Sequence, residues 1–556
     1  MVKLTGGQAF CESLKVQGVQ YIFGTPGTTE VPIIDALTEY GELQYILTLH
    51  EGTALGMADG YARATKEPGV VSVHTIVGVA NTINYLYNSY RDQIPIVLTA
   101  GFKDTRLLGR GAFLETPDLP EVVQQLTKWS WLVMRADTIS EIMTRACKIA
   151  TTPPQGPVFV AIPEDLQREV IDVEISPSHK YRIPGRIRPD QAQIEKAGQL
   201  LMDSAQPIII AGNEVSRAEA LPELTELAEI LSIPVFAEDI MSLCYLTFPN
   251  HHPFYQGPFS PANPLVQSAE VVFGVGCRMF MPFRYSPVPP FPPTAKIIHL
   301  HIDPQEIARI YPVDVPMVAD IKAALKDLLV YIKANLPTEK TQRYKKRAEQ
   351  LSQAKAGLTP KGPPGRTTGE ITPQELIITL GEILPEQAIL VNEGIMTSLT
   401  LPYFLRLKPS QGYYANSGGG LGWGVPAALG IKLAMKDRPV IALVGDGSLI
   451  FGIQSLWTAA RYQIPIIILV CNNRGYQAIK AALLGYGGKA AEERVFPGCD
   501  ITGPEIDFPS LSKGFGVAGR SITRLEELRP AFNEALQAQA PYLIDISLTG
   551  DIPPLP

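Results

Sequence analysis

The segment 439–473, PVIALVGDGSLIFGIQSLWTAARYQIPIIILVCNN, constrains the fold more than any other part of the chain. Its two apolar, β-branched runs, PVIALV and IPIIILV, are typical of strands that are buried on both faces. The residues between them have a helical pattern, and we expect that helix to open near Gly452. A strand, a helix and a second strand in so short a span predict a parallel crossover unit, and hence an α/β fold.

The same alternation recurs along the chain and predicts three α/β domains, each built on a doubly wound parallel sheet. A chain of 556 residues is too long for one hydrophobic core. We assign residues 1–175, 190–335 and 371–556 to the three domains and residues 336–370 to a linker. The charged helical part of this linker, EKTQRYKKRAEQLSQAKAG, is expected to present a solvated face before a Pro/Gly-rich crossing.

Polar residues follow both strands of the opening segment. Because ligands of open parallel sheets bind at the carboxyl ends of strands, Asp446 and Asn473 are expected to face one crevice. Their oxygens suit magnesium, and Gly445 and Gly447 let the backbone approach a ligand closely. The helix opening near Gly452 is expected to favour a phosphate. The alternative is that these are ordinary turn residues after strands.

The GDG motif and the NN pair at this spacing resemble the signature of the thiamine diphosphate-dependent enzymes. The resemblance implies that the side chains of Asp446 and Asn473 and the carbonyl of Gly475 hold magnesium. It also implies that Ser448 lies near the diphosphate and that Tyr476 lies beside the cofactor.

Two further segments extend the resemblance. HEGTALGMADGYAR looks like the family segment whose glutamate hydrogen-bonds the cofactor's aminopyrimidine ring, which implies that role for Glu51; the alternative is that Glu51 complements the helix dipole. YYANSGGGLGWG implies that Leu421 wedges between the cofactor rings and that the Gly419 carbonyl receives the exocyclic amine. A Gly-rich turn that opens a helix is the alternative for this second segment.

VVSVHTIVGVANTINYLYNSYRD is similar to the benzoylformate decarboxylase subgroup, and this implies that His74 is the general acid/base. Thr28 would face the substrate, with turn capping as the alternative. His50 is a weaker candidate for the acid/base. In RMFMPFRYSPVPPFPP the subgroup's second catalytic histidine is replaced by Ser286, a poor proton shuttle. This departure puts efficient protonation in doubt and leaves room for attack on a second carbonyl.

Three apolar residues are candidates for a substrate pocket: Leu114, Trp423 and Ile479. Each could equally belong to the core. The acetolactate synthases, which are relatives in the same family, have a glutamine where this chain has Leu114, and an apolar residue there would favour a larger or aromatic substrate group. His299 and His301 share one strand face, but no third metal ligand lies near them in the sequence.

The resemblance therefore implies a thiamine diphosphate- and magnesium-dependent lyase that decarboxylates a 2-oxo acid to an aldehyde, or joins it to a second carbonyl as a 2-hydroxy ketone. The alternatives are an acetolactate synthase-like carboligase, with or without flavin, and a catalytically silent member. FAD is not indicated, because the middle domain has no G-x-G-x-x-G motif. The resemblance also implies self-association, with Glu51 and the magnesium ligands of each site on different subunits.

Composition and charge limit the kinds of molecule that the protein is expected to bind and the compartment in which it is expected to occur. The net charge is −7, with 48 basic and 55 acidic residues and no long basic run, so neither nucleic acid nor an anionic membrane is an expected partner. The six cysteines have no metal-binding or regular spacing, which fits a reducing compartment. No apolar run reaches membrane-spanning length, and we expect a soluble cytoplasmic protein.

Overall fold

The computed structural model describes residues 2–175, 177–183, 186–282, 285–358, 369–408 and 410–552. In these ranges the strands are β1 Val2–Thr5, β2 Tyr21–Gly24, β3 Gln44–Leu47, β4 Gly69–His74, β5 Ile96–Phe102, β6 Trp129–Leu132, β7 Val158–Pro163, β8 Val170–Val173, β9 Pro207–Ala211, β10 Val235–Ala237, β11 Tyr255–Pro258, β12 Val271–Val275, β13 Lys296–His301, β14 Val315–Val318, β15 Ile389–Glu393, β16 Gly412–Ala415, β17 Val440–Gly445, β18 Ile466–Asn472, β19 Ala518–Ile522 and β20 Tyr542–Ser547.

The α-helices in these ranges are α1 Gly6–Val16, α2 Val31–Ala36, α3 Glu51–Thr65, α4 Thr75–Arg91, α5 Leu119–Val123, α6 Ile139–Thr151, α7 Glu164–Arg168, α8 Gln191–Asp203, α9 Glu214–Arg217, α10 Leu221–Leu231, α11 Pro264–Gln267, α12 Ile321–Asn335, α13 Thr341–Leu358, α14 Pro373–Ile383, α15 Ile395–Ser398, α16 Leu401–Phe404, α17 Gly424–Ala434, α18 Asp446–Phe451, α19 Ser455–Arg461, α20 Gln477–Tyr486, α21 Lys489–Glu493, α22 Phe508–Gly514 and α23 Leu528–Gln537. Short 3₁₀ turns lie between them. No described helix is long and apolar enough to cross a membrane.

Three six-stranded sheets, parallel throughout, carry the fold, and they confirm the predicted architecture of three doubly wound α/β units. The N-terminal sheet has the order β3-β2-β4-β5-β7-β6 and the C-terminal sheet the order β16-β15-β17-β18-β20-β19. Numbered within each sheet, both orders read 2-1-3-4-6-5. The middle sheet, β11-β10-β9-β12-β13-β14, reads 3-2-1-4-5-6 instead, and β1 pairs with β8 in a small antiparallel ribbon.

The direction of chain winding reverses between β2 and β4 in the N-terminal sheet and between β15 and β17 in the C-terminal sheet. At such a reversal the two loops leave opposite faces of the sheet and open a crevice at its carboxyl edge. Thr28 lies in the turn after β2, and His74 is the last residue of β4. Asp446 comes directly after β17. The fold therefore puts the predicted site residues of both domains at ligand-binding edges.

Helices α3 and α17 join the N-terminal and C-terminal sheets within one chain. A methyl group added at Gly60 would lie 2.1 Å from the Ala427 carbonyl oxygen, and one at Gly430 would lie 1.9 Å from the Met57 carbonyl oxygen. The two helix backbones therefore touch, and side chains of both sheets form one continuous apolar core.

A buried charge cluster ties the three domains together. Arg63 on α3 donates to Asp59 at 2.5 Å and to Asp92 at 2.7 Å. Asp92 also accepts from the backbone N–H of Ser417 in the C-terminal domain and from the thiol of Cys244 in the middle domain. Burial alone would raise the pKa of Asp92, but the guanidinium groups of Arg63 and Arg278 hold it below its usual value.

One local prediction is wrong. The helix after β17 begins at Asp446 and ends at Phe451, and Gly452 separates it from α19, so no helix opens at Gly452. In the linker, α13 has the predicted solvated face and also a buried one. Its Arg347 is buried and donates to the carbonyl oxygens of Ser232 and Ala205. The Pro/Gly-rich crossing, residues 359–368, lies outside the described residues, and the proposed domain boundaries stay predictions.

Candidate active site

Asp446 and Asn473 lie at the same edge of the C-terminal sheet. Strands β17 and β18 pair in parallel, with Gly445 opposite Cys471, so the residues that follow them emerge side by side. Gly447 adjoins Tyr476: an added methyl group would lie 2.7 Å from the tyrosine ring. Ser448 is buried in the first turn of α18. The predicted motif residues of the two loops therefore meet in space.

The two asparagines after β18 have different tasks. Asn472 donates from Nδ2 to Asp545 on β20 at 3.0 Å, so its amide holds two strands together. Asn473 lies beyond the strand end, and its Oδ1 accepts a long hydrogen bond of 3.3 Å from the N–H of Gly475. Asn473 is therefore the member of the pair that is placed to meet a ligand.

Asp446 has an unsatisfied oxygen that fits a metal ion. It is 5% exposed, and Oδ1 accepts from the N–H of Gly447 at 2.7 Å, whereas Oδ2 is buried and makes no hydrogen bond. Burial raises the pKa of Asp446, although nearby N–H groups oppose this shift. A buried carboxylate oxygen without a partner is costly, and a divalent cation is the partner that a set of carboxylate, amide and carbonyl oxygens suits.

Glu51 is the first residue of α3, the junction predicted for it, and its side chain is partly exposed. Oε2 accepts a hydrogen bond of 2.9 Å from Nδ2 of Asn81 on α4. The neighbouring His50 uses Nδ1 to accept from the N–H of Gly52 and so caps α3. This contact gives His50 a structural role at the start of α3.

His74 is held by two residues that follow β2. Its Nδ1 lies 2.9 Å from Thr29 Oγ1 and 3.5 Å from Glu30 Oε2. Thr29 Oγ1 donates its proton to Glu30 Oε1 at 2.5 Å, so His74 Nδ1 must be the donor to Thr29. This arrangement fixes the tautomer with hydrogen on Nδ1 and leaves Nε2 as the nitrogen that can exchange a proton.

The loop between β16 and α17 carries Gly419 and Leu421. Gly419 is exposed and has a φ of +78°, a conformation that glycine adopts without strain, and Leu421 is partly exposed. Glu393, at the end of β15, accepts from the N–H groups of Trp423 and Gly424 at 2.9 Å each. Burial raises the pKa of Glu393 to about 7, although those N–H groups oppose the shift.

The candidate substrate residues have unlike surroundings. Thr28 and Ser286 are exposed, Leu114 is partly exposed with a φ of +62°, and Ile479 is 54% exposed. The Ser286 hydroxyl donates to the carbonyl of Val288 at 3.4 Å and accepts from the N–H of the same residue at 3.3 Å.

Trp423 agrees with the packing alternative and not with a substrate pocket. It is fully buried, and its Nε1 donates to Asp59 at 2.7 Å. His299 and His301 are both buried and have backbone partners: His299 Nε2 lies 2.9 Å from the Cys277 carbonyl oxygen, and His301 Nδ1 accepts from the N–H of Asp303 at 2.9 Å.

Sequence reasoning missed several residues that hold the site: Thr29, Glu30, Asn81, Asn84, Asn88 and Glu393. A signal existed for Glu393, because ILVNEG has the same pattern of polar residues after a buried strand that identified Asp446. The asparagines of α4 gave none, since their partners lie far away in the chain.

An α/β enzyme with a ligand-binding crevice at the carboxyl edge of its parallel sheets is the class that this fold defines. Sequence comparison then gives the family. The thiamine pyrophosphate enzyme N-terminal TPP binding domain matches residues 4–122, the central domain residues 194–328 and the C-terminal TPP binding domain residues 394–546. The chain belongs to the thiamine pyrophosphate, or thiamine diphosphate, enzyme family, and it is a thiamine diphosphate-dependent decarboxylase or carboligase.

Individual relatives match over nearly the whole chain. Benzoylformate decarboxylase from Pseudomonas aeruginosa is 30% identical over 96% of this chain and 97% of its own length. A probable acetolactate synthase large subunit from Methanocaldococcus jannaschii is 32% identical over 98% of this chain and 92% of its own. The structure of the thiamine diphosphate-dependent 4-hydroxybenzoylformate decarboxylase from Rhodococcus jostii superposes with a TM-score of 0.86 at 29% identity, over 99% of this chain and 100% of that one.

Proposed function

We propose that this protein decarboxylates a 2-oxo acid with a bulky or apolar substituent, and that the product leaves as an aldehyde or as a 2-hydroxy ketone after joining a second carbonyl compound. The observation that carries the proposal is the His74 imidazole, held through Nδ1 by Thr29 with Nε2 left to exchange a proton. A similar benzoylformate decarboxylase and a similar 4-hydroxybenzoylformate decarboxylase point to an aryl or comparable group on the acid.

Asp446, Asn473 and the Gly475 carbonyl are the groups that we propose for magnesium. The buried, unpartnered Oδ2 of Asp446 supports this role because it needs a cation when it is ionised. Gly445, Gly447 and Ser448 would line the diphosphate, with Tyr476 against the same turn. When bound, thiamine diphosphate supplies the nucleophilic carbon and the electron sink for decarboxylation.

Glu51 is proposed to hydrogen-bond the pyrimidine ring of the cofactor. Asn81 supports this role, because its donor fixes one carboxylate oxygen and leaves the other to share a proton. Gly419 would accept the exocyclic amine and Leu421 would support the bent cofactor.

Proton delivery to the product carbon is proposed to depend on His74 alone, since the exposed Ser286 hydroxyl cannot exchange a proton efficiently at neutral pH. Thr28, at the next strand end, is proposed to contact the substrate carboxylate. With one imidazole in place of two, we expect a larger share of carboligation over simple aldehyde release. Leu114 and Ile479 are the proposed apolar contacts of the substituent.

Self-association is proposed because large apolar side chains are exposed beside both halves of the site. Val77, Tyr87 and Tyr90 project from α4, the helix whose Asn81 bonds Glu51, while Phe451 and Ile479 follow the proposed magnesium ligands in the chain, and each is between 41% and 54% exposed. Such surfaces mark contacts between proteins, and a second copy of this chain would cover them. Each site would then combine Glu51 of one subunit with Asp446 of the other.

Flavin is not part of the proposal. In the middle sheet the winding reverses between β9 and β12, and a nucleotide would be expected there. Side chains fill this crevice, among them Glu238, Arg278 and His301, and leave a cavity of only about 10 Å³. The middle domain would have to rearrange to admit a nucleotide at that point.

Product analysis tests the proposed reaction. Purified protein with magnesium and thiamine diphosphate is given benzoylformate, pyruvate and a branched 2-oxo acid, singly and in pairs, and products are identified by proton NMR. We expect benzoylformate or the branched acid to be preferred and the Glu51→Gln and His74→Gln variants to lose activity. His50→Asn, which keeps a cap for α3, is the matched control and should retain it. No turnover of any acid would overturn the proposal.

Mixed oligomers test the shared site. Glu51→Gln and Asp446→Ala chains are co-expressed with different tags and purified through both. If the two residues come from different subunits, each mixed dimer has one intact site and about half of the wild-type activity. Mixed Glu51→Gln and Glu51→Ala chains are the control, because no intact site can form. Equal inactivity of both mixtures would refute the shared site.

A further inference from the structure

The glycine loop proposed to hold the cofactor's pyrimidine ring is gripped by one helix of the N-terminal domain. Asn88 on α4 is buried, and its side-chain amide pairs with both backbone groups of Gly420: Nδ2 donates to the carbonyl at 2.8 Å and Oδ1 accepts from the N–H at 2.9 Å. One turn earlier, Nδ2 of Asn84 donates to the carbonyl of Leu421 at 2.9 Å.

Only one orientation of the Asn88 amide satisfies both contacts, because its oxygen must face the N–H and its nitrogen must face the carbonyl. An added methyl group at Gly420 would lie 2.6 Å from the Asn84 carbonyl oxygen, so only glycine permits this approach of loop and helix. The loop conformation is thus determined by the helix as well as by its own sequence.

The contact with the Gly420 N–H has a consequence one residue earlier. The Gly419 carbonyl and the Gly420 N–H belong to one planar trans peptide unit, in which they point in opposite directions. Because the N–H points at Asn88 Oδ1, the Gly419 carbonyl must point away from α4. The loop is open beside the Gly419 Cα, since a methyl group added there would meet no atom within 4 Å.

We propose that Asn88 is a positioning residue that aims the Gly419 carbonyl at the exocyclic amine of the pyrimidine ring. This inference rests on the proposed function, in which Gly419 accepts that amine. Without the Asn88 oxygen, the 419–420 peptide unit can rotate, because both residues are glycine and tolerate other backbone angles. The amine would then lose a pre-aligned acceptor while the diphosphate end of the site stayed intact.

Cofactor discrimination tests this inference without relying on turnover. The dissociation constants of thiamine diphosphate and of 4′-deaminothiamine diphosphate, which lacks the amine, are measured with magnesium by fluorescence titration. We expect the wild-type protein to prefer the cofactor with the amine, and Asn88→Ala to reduce this preference by about fivefold, the size of one neutral hydrogen bond. Binding of the deamino compound should change little.

Two further variants separate carbonyl direction from packing. Asn88→Asp keeps an oxygen acceptor for the Gly420 N–H but loses the donor to the Gly420 carbonyl, so it should retain more of the preference than Asn88→Ala does. Thr82→Val changes a buried α4 residue whose hydroxyl bonds only within the helix, and it should bind both compounds as the wild type does. Equal preference in the wild type and in Asn88→Ala, or equal loss in both Asn88 variants, would overturn the inference. Failure of the wild type to bind either compound would instead refute the proposed cofactor site.

Discussion

Replacing Asp446 by asparagine is expected to stabilise the metal-free protein and to weaken the liganded one. The asparagine oxygen can keep the bond from the Gly447 N–H, so the change removes chiefly the charge on the buried, unpartnered Oδ2. Leaving a buried polar group without a partner costs about 1–3 kcal/mol, and more when it is charged. We therefore expect the free energy of unfolding of the metal-free variant to exceed that of the wild type by about 1–3 kcal/mol.

Magnesium and thiamine diphosphate should reverse this order. At a ligand concentration of 100 times Kd, binding stabilises the folded state by about 2.7 kcal/mol, and the variant should lose most of that gain. Thermal and urea unfolding of the wild type and the variant, with and without both ligands, measure this reversal of the order of stability. Asp545→Asn is the matched control. Burial raises the pKa of Asp545 too, but Asn472 and Ser521 donate to its two oxygens, so this variant should be less stable in both conditions and keep the ligand shift.

The pH dependence gives an independent check of sign. The folded-state pKa of Asp446 is raised by burial, so the fold disfavours the ionised form. The gain from Asp446→Asn should vanish below the unfolded pKa of about 3.9, where the acid is neutral in both states, and be complete above the raised folded pKa. A metal-free variant that is less stable than the wild type at neutral pH, or one that keeps the full magnesium-dependent shift, would refute the reasoning.

Three other changes follow from the contacts of the site. Thr29→Val removes the acceptor for His74 Nδ1 and should lower kcat by about tenfold with unchanged cofactor affinity, whereas Thr29→Ser should keep the wild-type kcat. Steady-state kinetics and cofactor titration measure both quantities. An unaltered kcat in Thr29→Val would contradict the proposed role of Thr29 in holding the imidazole. Trp423→Phe removes the donor to buried Asp59 and should lower the free energy of unfolding in urea by about 1–3 kcal/mol; no change would mean that Asp59 is satisfied without it. Leu114→Gln should lower kcat/KM for benzoylformate relative to pyruvate by about tenfold, and an unchanged ratio would remove Leu114 from the pocket.

The sequence predicted those features that are local. Apolar runs that end in polar residues identified the three parallel sheets and the strand ends at Asp446 and His74, because both the strand and its terminal residue are read from neighbouring positions. The short helix α18, Asp446–Phe451, was not predicted, since its GDG start has the residues of an ordinary turn after a strand. The buried face of α13 was not predicted, because it includes a charged residue, Arg347. This arginine can be buried because it donates to backbone carbonyl oxygens, a contact that the sequence does not reveal.

Residues that act across the chain were beyond such reasoning. Asn88 lies 332 positions from the glycine that it holds, and nothing in VANTINYLYNSY separates it from the other polar residues of α4. Glu30 was overlooked beside Thr28 because a glutamate in a short turn is usually solvated, whereas here its side chain is buried and pairs with Thr29. Both missed residues act by holding other residues of the site, and those other residues were predicted from the sequence or lie beside predicted ones.

The charge cluster around Asp92 limits how this chain can recombine with its relatives. Each domain supplies part of the surroundings of one buried carboxylate, and removing one partner of a buried charge pair costs about 3–5 kcal/mol. A chimaera that imports a foreign middle domain without a cation at position 278 would inherit that deficit, and one without the donors at 244 and 417 would lose neutral hydrogen bonds of about 1 kcal/mol each. The three domains should therefore melt in one cooperative transition and be exchanged in evolution as a set.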